Sequence, residues 1–471
     1  MKESNVTEDR YYFITPKDTA QTQKKPIFRS NDQMSVKPTE VHATLGKYML
    51  ADGFDLVLDL KKSKGSRIYD SRTGRYFLDG FSFFATAPIG CNHPAMTAPD
   101  FIKKIGEIAV NNPTNSDVYT VEMAEFVDSF AKHAMPQHFR HLFFIAGGAL
   151  AIENGIKTAF DWKIRKNLDR GLGKKGRQVI HFKDAFHGRT GYTLSMTNTF
   201  NMNKTKYFTK FNWPRIDNPK IKFPLTDANL KDVQEREEQA ICQIKEAVAQ
   251  NPDDIAALII EPIQGEGGDN HFRKEFFQRL RTLCDEHEMM FIVDEVQSGV
   301  GLTGKMWAYQ HYNFEPDILA FGKKTQVCGI MVSNKVDEVK DNVFAVPSRL
   351  NSTWGGNLVD MVRCQKYLEI IEEEHLVKNA EIQGKRLLQG LEAIEKKYSQ
   401  KISNTRGKCL MCAFDLPTPE QRDALQSKLY ANGLLVLTCG SVTIRFRPPL
   451  NISSEEIDEA LSIVEKTVKA F

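Results

Sequence analysis

Met289-Met290-Phe291-Ile292-Val293 runs apolar until it stops at Asp294-Glu295-Val296-Gln297, and Asp317-Ile318-Leu319-Ala320-Phe321 stops in the same way at Gly322-Lys323-Lys324. Runs this short and this uniformly apolar suit strands covered on both faces, as in parallel sheets. Three more fit the pattern: Leu142 to Ile145, Val179 to Phe182 and Ala256 to Ile260. They alternate with helical periodicities, one of which aligns Phe276, Phe277, Leu280, Leu283 and Cys284 on a single face. From about residue 85 to 345 this predicts an α/β fold with a mostly parallel, doubly wound sheet.

Ligands of such sheets bind beyond the carboxyl ends of the strands. Every exit here carries chemistry: Gly147-Gly148-Ala149, then Phe186-His187-Gly188-Arg189, then Glu261 through Gly268, then Asp294 with Gln297, then Lys323. Gly147-Gly148 opens a helix pattern whose free N–H groups suit a phosphate, although such a pair is more often only a turn. Asp294-Glu295 suits a metal or a nucleotide-bound magnesium equally well, but no Gly-x-x-x-x-Gly-Lys-Ser/Thr loop accompanies it. Lys323 is preferred to Lys324 because it follows the small Gly322 and would face the same rim as Asp294. Phe186 fits a ring stacked on a flat heterocycle, or plain core, and His187 reads as structural. A lysine able to condense with an aldehyde and a carboxylate able to neutralise a pyridinium are the pair a pyridoxal 5'-phosphate enzyme needs.

Composition agrees with a small-molecule enzyme. The chain has 471 residues, 41% hydrophobic and 10% aromatic, enough for a large core and two domains. Its 63 basic and 60 acidic residues leave a net charge of +3, with no field favouring nucleic acid or an anionic membrane. The eight cysteines are scattered as in a reducing, cytoplasmic protein. Cys409-Leu410-Met411-Cys412 reads as buried strand, and no metal site is expected. No run of about 18 apolar residues spans a membrane, and Met1 to Lys25 lacks a signal-peptide core, so a soluble, unexported protein is expected.

Residues 1–40 read as an N-terminal arm with one apolar patch, Tyr11 to Ile14; 41–84 as the N-terminal part of a small domain; 85–345 as the large domain. Residues 346–471 read as the C-terminal small domain, with helix patterns at 357–373, 377–398 and 454–470. Residues 201–250, a loop with Lys204, Lys206, Lys210, Pro214 and Pro219 followed by a charged helix, read as surface scaffold.

Several segments together resemble the class III, fold type I pyridoxal phosphate-dependent aminotransferases, and among them the L-lysine 6-aminotransferase branch. They are Phe77-Leu78-Asp79-Gly80, Gly90-Cys91-Asn92-His93-Pro94, Gly147 to Asn154, Phe186-His187-Gly188-Arg189, Glu261 to Gly268, Asp294 to Gln297, Phe321 to Gln326, Asn351 to Asn357 and Arg445 to Leu450. The resemblance runs from about residue 35 to the C-terminus. It implies a large domain with a mostly parallel sheet and a smaller α/β C-terminal domain. Lys323 would tether the cofactor and then move the proton, and Asp294 would keep the ring nitrogen protonated. Gln297 would meet the ring hydroxyl, Phe186 would cover the ring, and Gly148 with Ala149 would bind the phosphate. Thr353 would reach the phosphate of the neighbouring subunit, which implies a homodimer with shared active sites.

The resemblance also implies the substrates. Arg189 would hold the α-carboxylate of L-lysine and set its ε-amine over the cofactor, while Arg445 would bind the α-carboxylate of 2-oxoglutarate, giving L-glutamate. Glu266 would neutralise Arg445 when lysine is present, unless the two form a fixed pair, and Asn351 joins the substrate residues. Ornithine or 4-aminobutyrate transamination, another pyridoxal phosphate reaction on the same fold, and a non-enzymatic binding module are the alternatives.

Overall fold

The computed structural model describes residues 36–471. The first 35 residues of the expected arm, with the patch at Tyr11 to Ile14, lie outside the described residues. The chain divides into two units at Val57. The described part of the first holds a 3-10 turn, Pro38–Glu40, and a short helix, Val41–Leu45.

The second unit begins with a hairpin of β1 (Arg67–Asp70) and β2 (Arg75–Asp79). The large sheet then uses β3 (Phe139–Ile145), β4 (Gln178–Phe182), β5 (Arg215–Ile216) and β6 (Ile255–Ile260). A two-strand ribbon follows, β7 (Ile263–Gln264) and β8 (Asn270–His271), and the sheet is completed by β9 (Met290–Asp294), β10 (Ile318–Phe321) and β11 (Cys328–Ser333). The order is β3-β11-β10-β9-β6-β4-β5. The pairs from β10 through β9, β6 and β4 to β5 are parallel, as the apolar runs predict.

β11, which the sequence reading does not identify, is the exception, antiparallel to both β10 and β3. The reason is length. Only Gly322, the 3-10 turn Lys323–Thr325, Gln326 and Val327 separate it from β10, whereas a parallel return needs a crossover of about a dozen residues.

Strand alternation divides the core into two layers. Phe291, Val293, Leu319 and Phe321 pack with Phe276, Phe277 and Leu280 of helix Lys274–Glu286. Met290, Ile292, Ile318 and Ala320 pack on the other face with Ala151, Ile152, Ile156 and Trp162 of helix Gly148–Asp169. Two helices of opposite faces thus clamp the strands that carry Asp294 and Lys323.

The C-terminal region adds β12 (Ser403–Lys408), β13 (Met411–Asp415), β14 (Leu434–Leu435), β15 (Leu437–Cys439) and β16 (Thr443–Phe446). Four of them form an antiparallel sheet, β12-β13-β16-β15, and β14 extends β2 in parallel. Of the Cys409 to Cys412 stretch, Met411 and Cys412 are buried in β13 as expected, whereas Cys409, at φ +54°, and Leu410 form the turn between β12 and β13. The late helix patterns correspond to Leu358–Glu373, Leu376–Lys397 and Ser454–Lys469. The last starts in a capping box in which Ser453 Oγ accepts from Glu456 N–H and the Glu456 carboxylate accepts from Ser453 N–H. Among the described residues no helix is long and apolar enough to cross a membrane.

Candidate active site

The carboxyl ends of β4, β6, β9 and β10 and the start of helix Gly148–Asp169 open on one cavity of about 610 Å³. Gly148, Ala149, Phe186, Arg189, Glu266, Asp294, Gln297 and Lys323 line it. The topology dictates this convergence, because parallel strands put all their carboxyl ends on one rim.

Lys323 opens the 3-10 turn after β10 at φ +54°, a left-handed conformation uncommon for a long side chain. Burial, assisted by Arg445, pushes its amine down to about 8 against the opposing pull of Asp294 and Glu261. Lys324 leaves the cavity: its Nζ donates to Gln297 O at 2.8 Å. The choice between neighbouring lysines is therefore made by the turn, which sends them in different directions.

Asp294 ends β9. Its Oδ1 accepts from Val296 N–H at 3.0 Å, and its Oδ2 lies 2.8 Å from His187 Nδ1. Glu295 points away, accepting from Ser298 Oγ at 2.6 Å and from Tyr309 N–H at 2.7 Å, and burial raises it to about 7. Of the two acids only Asp294 lines the cavity. His187, read from sequence as structural, is buried against Asp294 and also lines the cavity. So does Glu261, whose oxygens accept from Phe186 N–H at 3.0 Å and Gly265 N–H at 3.1 Å, and whose carboxyl burial pushes up.

The β7–β8 ribbon holds Glu266 in its connecting loop. Arg445 sits on β16 opposite Ala413 and donates to Glu266 Oε2 at 2.8 Å. Gln297 Oε1 accepts from Arg445 at 3.4 Å and from Arg447 Nε at 3.3 Å. Arg189 is exposed on the cavity wall. Asn351 and Thr353 are exposed and outside this chain's own cavity, on a segment tied down by Ser116 Oγ to Ser352 O at 2.6 Å and Asn115 Nδ2 to Gly356 O at 2.9 Å.

Sequence reasoning also missed Gln326, whose amide donates to Thr86 O at 2.8 Å, and Asp360, both on the cavity wall. Lys204, assigned to surface scaffold, is ion-paired with Glu266 and lies 5.6 Å over the Phe186 ring. An acid at a strand exit was a usable signal for Glu261; a loop lysine 62 residues from its partner carried none.

The cavity fits pyridoxal 5'-phosphate on physical grounds. The first turn of helix Gly148–Asp169 leaves N–H groups without intrahelical partners, the setting a phosphate needs. A Cβ at Gly148 would lie 2.9 Å from Val296 Cγ1, so a glycine is required where the backbone meets the cradle wall. A buried carboxylate, an aromatic face and an amine of lowered basicity complete the requirements for a cationic ring bearing an aldehyde.

The profile of the Aminotransferase class-III family matches residues 49–468. The chain is 50% identical over 433 residues to the L-lysine-epsilon aminotransferase of Mycobacterium tuberculosis, covering 92% of this chain and 96% of that one. It is 48% identical over 426 residues to the enzyme of the same name from Amycolatopsis lactamdurans, covering 90% and 94%. The structure of lysine aminotransferase from M. tuberculosis in the internal aldimine form superposes with a TM-score of 0.90 at 50% identity, over 92% of this chain and 100% of that one. The chain belongs to the class III aminotransferases, and its cofactor is pyridoxal 5'-phosphate.

Proposed function

We propose that the protein transfers the ε-amino group of L-lysine to 2-oxoglutarate, yielding 2-aminoadipate 6-semialdehyde and L-glutamate. The observation that carries this reading is that the cavity is lined by Arg189, which is exposed, and by Glu266, which neutralises the buried Arg445 behind it. Such an arrangement lets one cavity take a cationic amino acid and a dicarboxylate in turn. The similarity to lysine aminotransferases supports it.

When bound, the cofactor supplies an aldehyde that takes up the amino group and a ring that accepts the electron pair. Lys323 would hold it covalently and would be the acid and base that moves the proton. Asp294 holds the ring nitrogen protonated, with His187 orienting the carboxylate. Gln297, whose Oε1 is engaged by two guanidinium groups, would keep its NH2 free to donate to the ring hydroxyl. Phe186 covers a ring face, and the backbone of Gly148 and Ala149 binds phosphate. Asn351 and Thr353, turned away from their own cavity, serve the site of a second copy in a homodimer. The C-terminal segment bearing Arg445 acts as the small domain that closes on the cavity. All the cysteines are free thiols, which supports the cytosol as the compartment.

Incubation with lysine and 2-oxoglutarate, followed by trapping of the cyclised semialdehyde with an aminobenzaldehyde reagent, tests the assignment. Ornithine and 4-aminobutyrate are run beside it, and preferential turnover of either would overturn the lysine reading.

The gate has its own test. Glu266→Ala leaves Arg445 uncompensated, so reaction at α-amines should rise about tenfold or more relative to the ε-amine. Unchanged lysine and 2-oxoglutarate kinetics together with an unchanged α to ε ratio would reduce the pair to a fixed ion pair.

The lowered basicity of Lys323 predicts a pH profile for cofactor loading of stripped protein. Only the neutral amine attacks an aldehyde. With the amine at about 8, roughly a tenth of it is neutral at pH 7, against well under a thousandth for an ordinary lysine. Loading rates followed by the visible band should rise about tenfold per pH unit below about 8 and then level. A rate still climbing beyond pH 10 would contradict this.

A further inference from the structure

The ion pairs of Glu266 among the described residues are two, and they use different oxygens: Arg445 takes Oε2 and Lys204 takes Oε1. The gate reading, on which this inference rests, asks Glu266 to leave Arg445 when a dicarboxylate arrives. A carboxylate that leaves one buried cation for nothing is costly, so an exchange of this kind requires a second cation at its destination.

Geometry identifies that destination. A Cβ on Gly265 would lie 2.4 Å from Gln297 Oε1, a Cβ on Gly267 would lie 2.0 Å from Asp184 O, and Glu266 O accepts from Gly440 N–H at 2.9 Å. The loop backbone is pinned on both sides, so the carboxylate moves by side-chain rotation alone. Glu266 also borders a second cavity, of about 400 Å³, whose walls include Lys204 and Arg422. Arg422 is anchored there by donation to Gly440 O at 3.1 Å and Ser441 O at 2.6 Å. Lys204 ends a 3-10 turn, Met202–Lys204, and its flexible four-carbon stem can follow a moving partner, which a planar guanidinium held by several acceptors cannot.

We propose that Lys204 is the second cation of the gate: it retains the Glu266 carboxylate, rotated toward the second cavity, while Arg445 is given over to the incoming dicarboxylate. Lys204 is thus a positioning residue that sets the balance between the two substrates without touching either. Burial works to raise the Glu266 carboxyl, but Arg445 and Lys204 together outweigh it and keep the group below the ordinary range while both hold it.

Glutarate, a dicarboxylate of the length of 2-oxoglutarate that lacks the ketone and cannot react, provides the test. It is titrated calorimetrically into cofactor-loaded wild type, Lys204→Met, Lys204→Arg, Glu266→Ala and the Glu266→Ala/Lys204→Met double variant. Lys204→Met should raise its Kd about tenfold and Lys204→Arg should restore most of the loss. In the Glu266→Ala background the effect should vanish, because nothing is left for Lys204 to hold. In single-turnover kinetics the ratio of oxo-acid to lysine efficiency should fall by a similar factor in Lys204→Met. No change in either measurement, or an equal loss with and without Glu266, overturns the proposal, the latter because Lys204 would then act on the ligand or on its own loop. A wild type that shows both half-reactions while Lys204→Met behaves identically sinks this inference alone; a wild type that neither binds glutarate nor reacts with the two acids sinks the substrate assignment and the gate with it.

Discussion

Lys323→Ala is expected to abolish covalent attachment of the cofactor and to lower transamination by about four orders of magnitude. The side chain has two proposed tasks, holding the aldehyde and carrying the proton, and no neighbour is placed to take them over. Lys324 is adjacent in sequence, but its Nζ is committed to Gln297 O at 2.8 Å, and burial together with the Lys323 charge makes that site hostile to a cation. The loss is chemical rather than structural, since alanine and lysine suffer the same left-handed backbone at φ +54°. Borohydride reduction of loaded protein followed by peptide mass spectrometry checks it. Wild type and Lys324→Ala should carry the adduct at position 323, and Lys323→Ala should carry none. An adduct at Lys324 in the wild type would end the present reading of the site.

Asp294→Asn is expected to cost roughly two to three orders of magnitude in turnover while the cofactor stays bound. The amide matches the carboxylate in shape and can still accept from Val296 N–H, so the cradle survives. What would disappear is the negative charge proposed to face the ring nitrogen, without which the ring would lose its proton and its capacity to take electrons. Asp294 is nearly buried, and its other oxygen is occupied by His187, so solvent does not replace the charge. The measurement is a pair: cofactor content from the visible spectrum and kcat from steady-state rates. Full occupancy with a collapsed kcat is the expected result, and activity within about threefold of wild type would remove Asp294 from the chemistry.

The parts that were legible in the sequence share a physical origin. Apolar runs such as Met290 to Val293 suit strands buried on both faces, and Phe276, Phe277 and Leu280 suit one helix stripe, because burial imposes a pattern locally. β11 was not identified, although Cys328-Gly329-Ile330-Met331-Val332-Ser333 has the same apolar character as the runs that were. Its direction is decided by the length of the connection before it, which composition does not express. Glu261, Asp294, Lys323 and Arg189 were visible as polar residues at strand exits or in furnished loops. His187 was visible too, yet its contact with Asp294 depends on two strands being near neighbours in the sheet. Lys204 shows the limit of such reading: a lysine in a polar loop is ordinarily solvated, and only the tertiary fold brings the Met202–Lys204 turn beside Glu266.

The chain's own order of residues determined an α/β sheet whose carboxyl edge carries an amine, carboxylates and a phosphate cradle, because side-chain periodicity and strand-end chemistry are local properties. Tertiary structure alone decided which of two adjacent lysines enters the cavity, which of two adjacent acids faces it, and that Glu266 lies between Arg445 and Lys204. These are outcomes of turn geometry and sheet order, which bring together groups tens to hundreds of residues apart and so leave no trace in any short window of sequence.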